Sequence, residues 1–155
     1  MEYQIAKWLH ILSSTVLFGT GLGSAYYMFF ASLSRNAAAT ALVVRQVVWA
    51  DWVFTATAVA FQPLSGLYLA HLMGLSPLDT AWIRWSFYLY FLAGACWLPV
   101  VGLQIRMRRI AEAAAREGVP LPARYFRLLW AWTALGVPAF AALVIVFWLM
   151  VAKPL

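Results

Sequence analysis

Lys7-Trp8-Leu9-His10-Ile11-Leu12-Ser13-Ser14 heads the first of four long apolar runs, and its reading decides what kind of protein this is. After Lys7 the chain carries no Asp, Glu, Lys or Arg until Arg35. That exceeds the ~20 apolar residues that cross a hydrocarbon core as a helix. Backbone groups in hydrocarbon must bond within their own segment, and the strand alternation of a lipid-facing barrel is missing, so the run is a helix.

Three further apolar stretches complete the pattern, giving spans at 5–31, 47–73, 83–105 and 128–151. Across 155 residues the chain is 65% hydrophobic and 10% charged, with a mean hydropathy of +0.82. Such a composition excludes an ordinary soluble domain. Nine Trp, seven Tyr and ten Phe supply rings for the lipid-water boundary. The expected fold is all-α, an integral membrane four-helix bundle forming a single transmembrane domain over 1–155.

A net charge of +6 raises nucleic acid as a partner. The basic residues instead cluster beside the spans. Arg35, Arg45, Arg106, Arg108, Arg109, Arg116, Arg124 and Arg127 follow spans one and three, against Lys7, Arg84 and Lys153 on the other face. The positive-inside rule therefore predicts both termini outside and the arginines cytoplasmic, in the inner (cytoplasmic) membrane, with the lipid bilayer as partner and no nucleic acid. The first span is too long for a signal-peptide core, so it is expected to be retained. The connection after span three reads as a helical extension from Arg106 to Glu117, broken by Gly118, Pro120 and Pro122.

Within span one, Gly19 and Gly23 form a GxxxG pair suited to close helix approach, inside the bundle or between copies of the chain. His10, Ser14 and Gly21 recur at offsets that share one helical face, leaving room for a flat ligand. Span two carries Asp51, for which Arg45, Arg106 or Arg108 would be an ion-pair partner; a proton relay is the other reading. Further along, Pro63 in Gln62-Pro63-Leu64-Ser65-Gly66 frees a backbone carbonyl and marks a bend or a cavity lining. Cys96 reads as a small buried hydrophobe.

The two histidines, His10 and His71, fall at similar depth near the face that holds the termini. Imidazoles on facing helices are the usual axial pair for a b-type heme, and Lys7, Arg84 and Lys153 would meet its propionates. Met73 and Met150 reach the same face, so Cu(I) held by imidazole and thioether is the rival. Either histidine could instead simply snorkel to the interface. No HExxH or CxxC is present.

The opening Lys7-Trp8-Leu9-His10-Ile11-Leu12 with Phe18-Gly19 resembles the first helix of HemJ-type protoporphyrinogen oxidases and of CopD-like copper-resistance membrane proteins. Over its whole length, including Ala50-Asp51-Trp52, Gln62-Pro63, Cys96-Trp97-Leu98-Pro99 and Leu149-Met150-Val151-Ala152-Lys153-Pro154, the chain resembles a family of predicted integral membrane proteins known as domain of unknown function 2269. The HemJ resemblance implies heme b with His10 as an axial ligand. HemJ-type enzymes also use a lysine in a later helix, whereas only Lys7 and Lys153 occur here, both at the boundary. The function expected is a heme b-binding redox protein exchanging electrons with a quinone or porphyrin, the alternatives being a copper handler or a non-catalytic assembly subunit.

Overall fold

The computed structural model describes residues 1–154. Helix α1 spans Glu2–Leu33, α2 Ala37–Ala50, α3 Ala56–Leu72, α4 Ala81–Glu117 and α5 Ala123–Ala152, with one π turn, Asp51–Thr55, joining α2 to α3. The rod Ala37–Leu72 is thus continuous, and four helices are long and apolar enough to cross a membrane. No strand occurs among the described residues.

The second helix begins ten residues before the apolar stretch that announces it (37 against 47). Asn36 explains why: its side chain accepts a hydrogen bond from the Ala39 amide at 3.0 Å, capping an alanine-rich start. The connection before it shrinks to Ser34, Arg35 and Asn36, with Arg35 taking a left-handed φ of 56°. The extension of the third span to Glu117 is observed, ended by Gly118 at φ 66°, where a left-handed conformation suits glycine. Pro122 then caps α5 from outside, so its missing N–H is no loss.

Hydrophobic residues face outward to an extent that only lipid accounts for. Just 6% of the apolar window of α5 is buried within the bundle. Leu64, Leu98, Val137 and Trp148 are all more than half exposed.

The packed core sits toward the arginine-rich end. Met28, Val44, Met107, Ala111, Tyr125 and Leu129 are fully enclosed there, and Ala41, Ala111 and Ala114 let α2 and α4 lie close. The Tyr125 hydroxyl meets Ser32 Oγ at 2.7 Å, and Ser32 donates in turn to the Met28 carbonyl at 2.7 Å. Toward the termini the bundle opens, with α1 paired to α3 and α4 paired to α5. Contact between α1 and α5 is sparse and aromatic: Phe18 meets Phe140 and Phe147 edge-on at centroid distances of 5.4 and 5.3 Å.

Glycines act differently from the simple motif reading. A Cβ at Gly21 would lie 3.3 Å from Phe140 Cζ, so Gly21 is where α5 approaches α1, whereas Gly19 and Gly23 have no neighbour within reach. Their GxxxG face is therefore unused within the chain.

Pro63 leaves the Val59 carbonyl without its helical donor, and the Tyr90 hydroxyl of α4 supplies one at 2.7 Å. This joins the two helix pairs across the gap. Tyr90→Phe should therefore destabilise the detergent-solubilised protein by ~1–3 kcal/mol, the penalty for a stranded buried acceptor. In a Pro63→Ala background the restored amide takes over, and the loss should shrink to a few tenths. Equal losses in both backgrounds, measured by denaturant titration in micelles, would refute the bridging role.

Candidate functional site

Between the two helix pairs lies a cavity of about 530 Å³, within the ~300–1,000 Å³ typical of ligand pockets. Its α3 wall comes from Gln62, Gly66, Leu69, Ala70 and Met73, which recur at helical spacing. His10 and Ser14 face them from α1, Ser86, Phe87 and Tyr90 from α4, and Phe147 and Met150 from α5. Apolar walls with a few convergent polar groups are the usual form of such a site.

His10 is the most closely positioned of these groups. Its Nδ1 lies 2.7 Å from Ser65 Oγ, and Gln62 Nε2 donates to its backbone carbonyl at 2.9 Å. Ser65 Oγ is also 2.9 Å from the Phe61 carbonyl, to which its hydroxyl donates. Both bonds are satisfied together when Nδ1 carries the imidazole proton and donates to Ser65. Nε2 is then a lone pair, and among the described residues it has no hydrogen-bond partner. The ring packs against Gly66, where a Cβ would stand in ordinary contact, 3.5 Å from His10 Cε1. A histidine held at one nitrogen and open at the other is the form that metal-ligating histidines take.

The mouth of the cavity is basic and aromatic. Lys7 Nζ lies over the Tyr3 ring at 5.8 Å and Lys153 Nζ over the Trp82 ring at 5.6 Å. Tyr3 Oη points to Met73 Sδ at 3.6 Å, and Tyr68 Oη donates to Glu2. Lys153 reaches the rim because α5 ends there in a left-handed turn, φ 43°.

Of the residues singled out from sequence, Lys7, His10, Ser14, Met73 and Met150 share this one cavity. His71 does not join them: it is exposed on the outer face of α3, about 100° round the helix from the buried Ala70. Depth along the bundle placed the two histidines together, and azimuth separates them. Gly21 packs on Phe140 outside the cavity, and the Arg84 guanidinium donates to the Leu78 carbonyl at 2.6 Å, tying down the preceding loop. Ser65 and Tyr90 went unassigned in the sequence reading. The first was legible in principle, being next to Gly66 and about one turn from Gln62; the second depends on how α4 crosses α3.

Asp51 also departs from expectation. It is buried, accepts from Thr55 Oγ1 at 3.0 Å and pairs with no arginine among the described residues. Arg108 is instead bound to Glu112 at 2.8 Å, and Arg45 lies on the outer surface. The π turn directs the carboxyl inward rather than to the headgroups. Cys96 is a free thiol, half-buried. No cluster of three or more His, Cys, Asp or Glu able to hold a metal ion occurs among the described residues.

A model of the family described as predicted integral membrane protein, DUF2269, matches residues 4–154, so the chain belongs to that family. No curated protein and no solved structure matches it.

Proposed function

As a member of a family of integral membrane proteins the chain works in a bilayer, and we propose that it binds one heme b in the cavity between its helix pairs, with His10 Nε2 on the iron. The observation carrying this is the His10–Ser65 contact of 2.7 Å, which aims an imidazole with an open nitrogen at an apolar cavity of about 530 Å³. Lys7 and Lys153 at the mouth suit the propionates. Met73 and Met150 line the same space and would be the thioether donors available to the iron, and His/Met ligation raises heme potential. His71 is left out of this ligand set.

When bound, heme supplies one-electron redox chemistry, and the chain's residues orient it, exclude water and set its potential. A membrane quinone or a porphyrin is the fitting class of electron partner. The resemblance to HemJ-type oxidases supports heme and not the particular oxidation, because Lys7 and Lys153 sit at the cavity mouth.

The test is an absorption spectrum of protein purified from heme-replete cells, oxidised and reduced. Soret and alpha bands at about one heme per chain are expected. Colourless protein that instead titrates Cu(I) would replace this reading with copper handling, which His10, Met73 and Met150 on one cavity favour. The proposed setting is the cytoplasmic membrane with both termini outside, by the arginine distribution. C-terminal alkaline phosphatase fusions should be active and C-terminal fluorescent-protein fusions dark; the opposite pattern inverts the bundle.

A further inference from the structure

The chain has five carboxyl side chains, and four of them, Glu2, Asp79, Glu112 and Glu117, lie outside its apolar runs. Asp51 lies within one, at the start of the π turn, and is 6% exposed. Single π turns are rare and gather at functional positions. Here the turn faces Asp51 toward Gln104 of α4, whose side chain is 3% exposed and lies against the same carboxyl. Gln104 Oε1 is buried and has no hydrogen-bond donor.

No charged side chain pairs with Asp51 among the described residues, and Arg108, one turn beyond Gln104 on α4, is bound to Glu112. Helix α1 has none between Lys7 and Arg35, and its Tyr26 and Tyr27 are exposed. On α2, Arg45 points into an outward groove with Trp49 and Phe54. On α3 the first charged or imidazole group is His71, exposed at the far end, and Tyr68 is exposed beside it. Helix α4 has none between Arg84 and Arg106; its Tyr88 is exposed, its Tyr90 hydroxyl is bonded to Val59, and Cys96 is the other titratable group there. A carboxylate here would be desolvated without a counter-charge, with only the neutral Thr55 hydroxyl and the Gln104 amide beside it. A carboxylic acid brings with it the donor that Gln104 Oε1 lacks.

We propose that Asp51 is a proton-binding site, in which the neutral acid donates its O–H to Gln104 Oε1 while the Thr55 hydroxyl donates to the other carboxyl oxygen. Loading takes one proton from water onto the carboxylate, and unloading returns it. Gln104 serves both states because a half-turn of its amide presents oxygen to the acid or nitrogen to the carboxylate. The exchange faces the arginine-rich end, since Gln104 is two residues from Arg106, where the apolar run of α4 stops.

Infrared spectra of the full-length protein in lipid vesicles test this, because the chain has only two aspartates, Asp51 and Asp79. With carboxyl-13C aspartate, a protonated-carboxyl carbonyl band should be present at neutral pH, shift with the isotope and in D2O, and disappear in Asp51→Asn. Gln104→Leu should move it to higher frequency by removing the acceptor. A neutral-pH spectrum holding only carboxylate bands from both aspartates would overturn the proposal, as would a protonated band that persists in Asp51→Asn. If Asp51→Asn fails to fold, labelled Asp79→Asn, in which Asp51 is the sole aspartate, decides the question: its protonated band should remain, and its loss would overturn the proposal.

Discussion

Protein carrying His10→Ala is expected to lose the Soret and alpha bands while keeping its helical content and its elution position. Nothing in the core near the arginine-rich end depends on the imidazole, so the fold should tolerate its removal. The ring packs over Gly66 and bonds to Ser65, both on α3, and its loss leaves a gap continuous with a cavity that is already present. Imidazole added to the medium should enter that gap and restore the bands. Restoration separates a lost ligand from a disturbed bundle. Ser65→Ala removes only the group that orients the ring, and outer-shell partners of this kind typically contribute ~10–100-fold in affinity. Heme binding in Ser65→Ala should fall by about that factor, with the absorption maxima nearly unmoved. A His71→Ala protein should retain wild-type spectra, because His71 lies on the far face of α3. If His71→Ala loses heme and His10→Ala keeps it, the proposed site is wrong.

Tyr125→Ala should be the most damaging substitution for stability, by ~3–5 kcal/mol, the range for emptying a fully enclosed ring site. Tyr125 is completely buried at the start of α5 and touches the cluster in which Met28, Val44, Met107 and Leu129 meet. Small residues flank it on α4, and Ala111 and Ala114 cannot close the space without moving helix backbone. Tyr125→Phe keeps the ring and removes only the hydrogen bond to Ser32, so it should lose ~1 kcal/mol. Denaturant titrations of the two variants in the same micelle give the ratio. Comparable losses would show that the hydrogen bond, not the packing, holds the arginine-rich end together.

Much of this was legible beforehand because membrane constraints act along one dimension. The number of spans, the helical connection to Glu117 and its stop at Gly118 all follow from apolar run length and turn chemistry. So does the grouping of Lys7, His10, Met73, Met150 and Lys153 at one end, which needs only the helical rise and the alternation of direction. Helix α2 starts ahead of its apolar stretch for a related reason: residues 37–46 are helical through Asn36 capping and alanine content, while hydropathy measures only what can enter lipid.

The sequence by itself thus determined an all-helical membrane chain and the depth of each of its polar groups, since hydrocarbon thickness and a rise of 1.5 Å per residue leave little freedom. Rotation about each helix axis was decided by the tertiary structure. Side-chain packing sets that angle, and it gave His10 the hydroxyl of Ser65 in place of His71. It also brought Gly21 rather than Gly19 or Gly23 against α5. The same angle, altered by one π turn, removed Asp51 from the arginines at its own depth and enclosed it with Thr55 and Gln104.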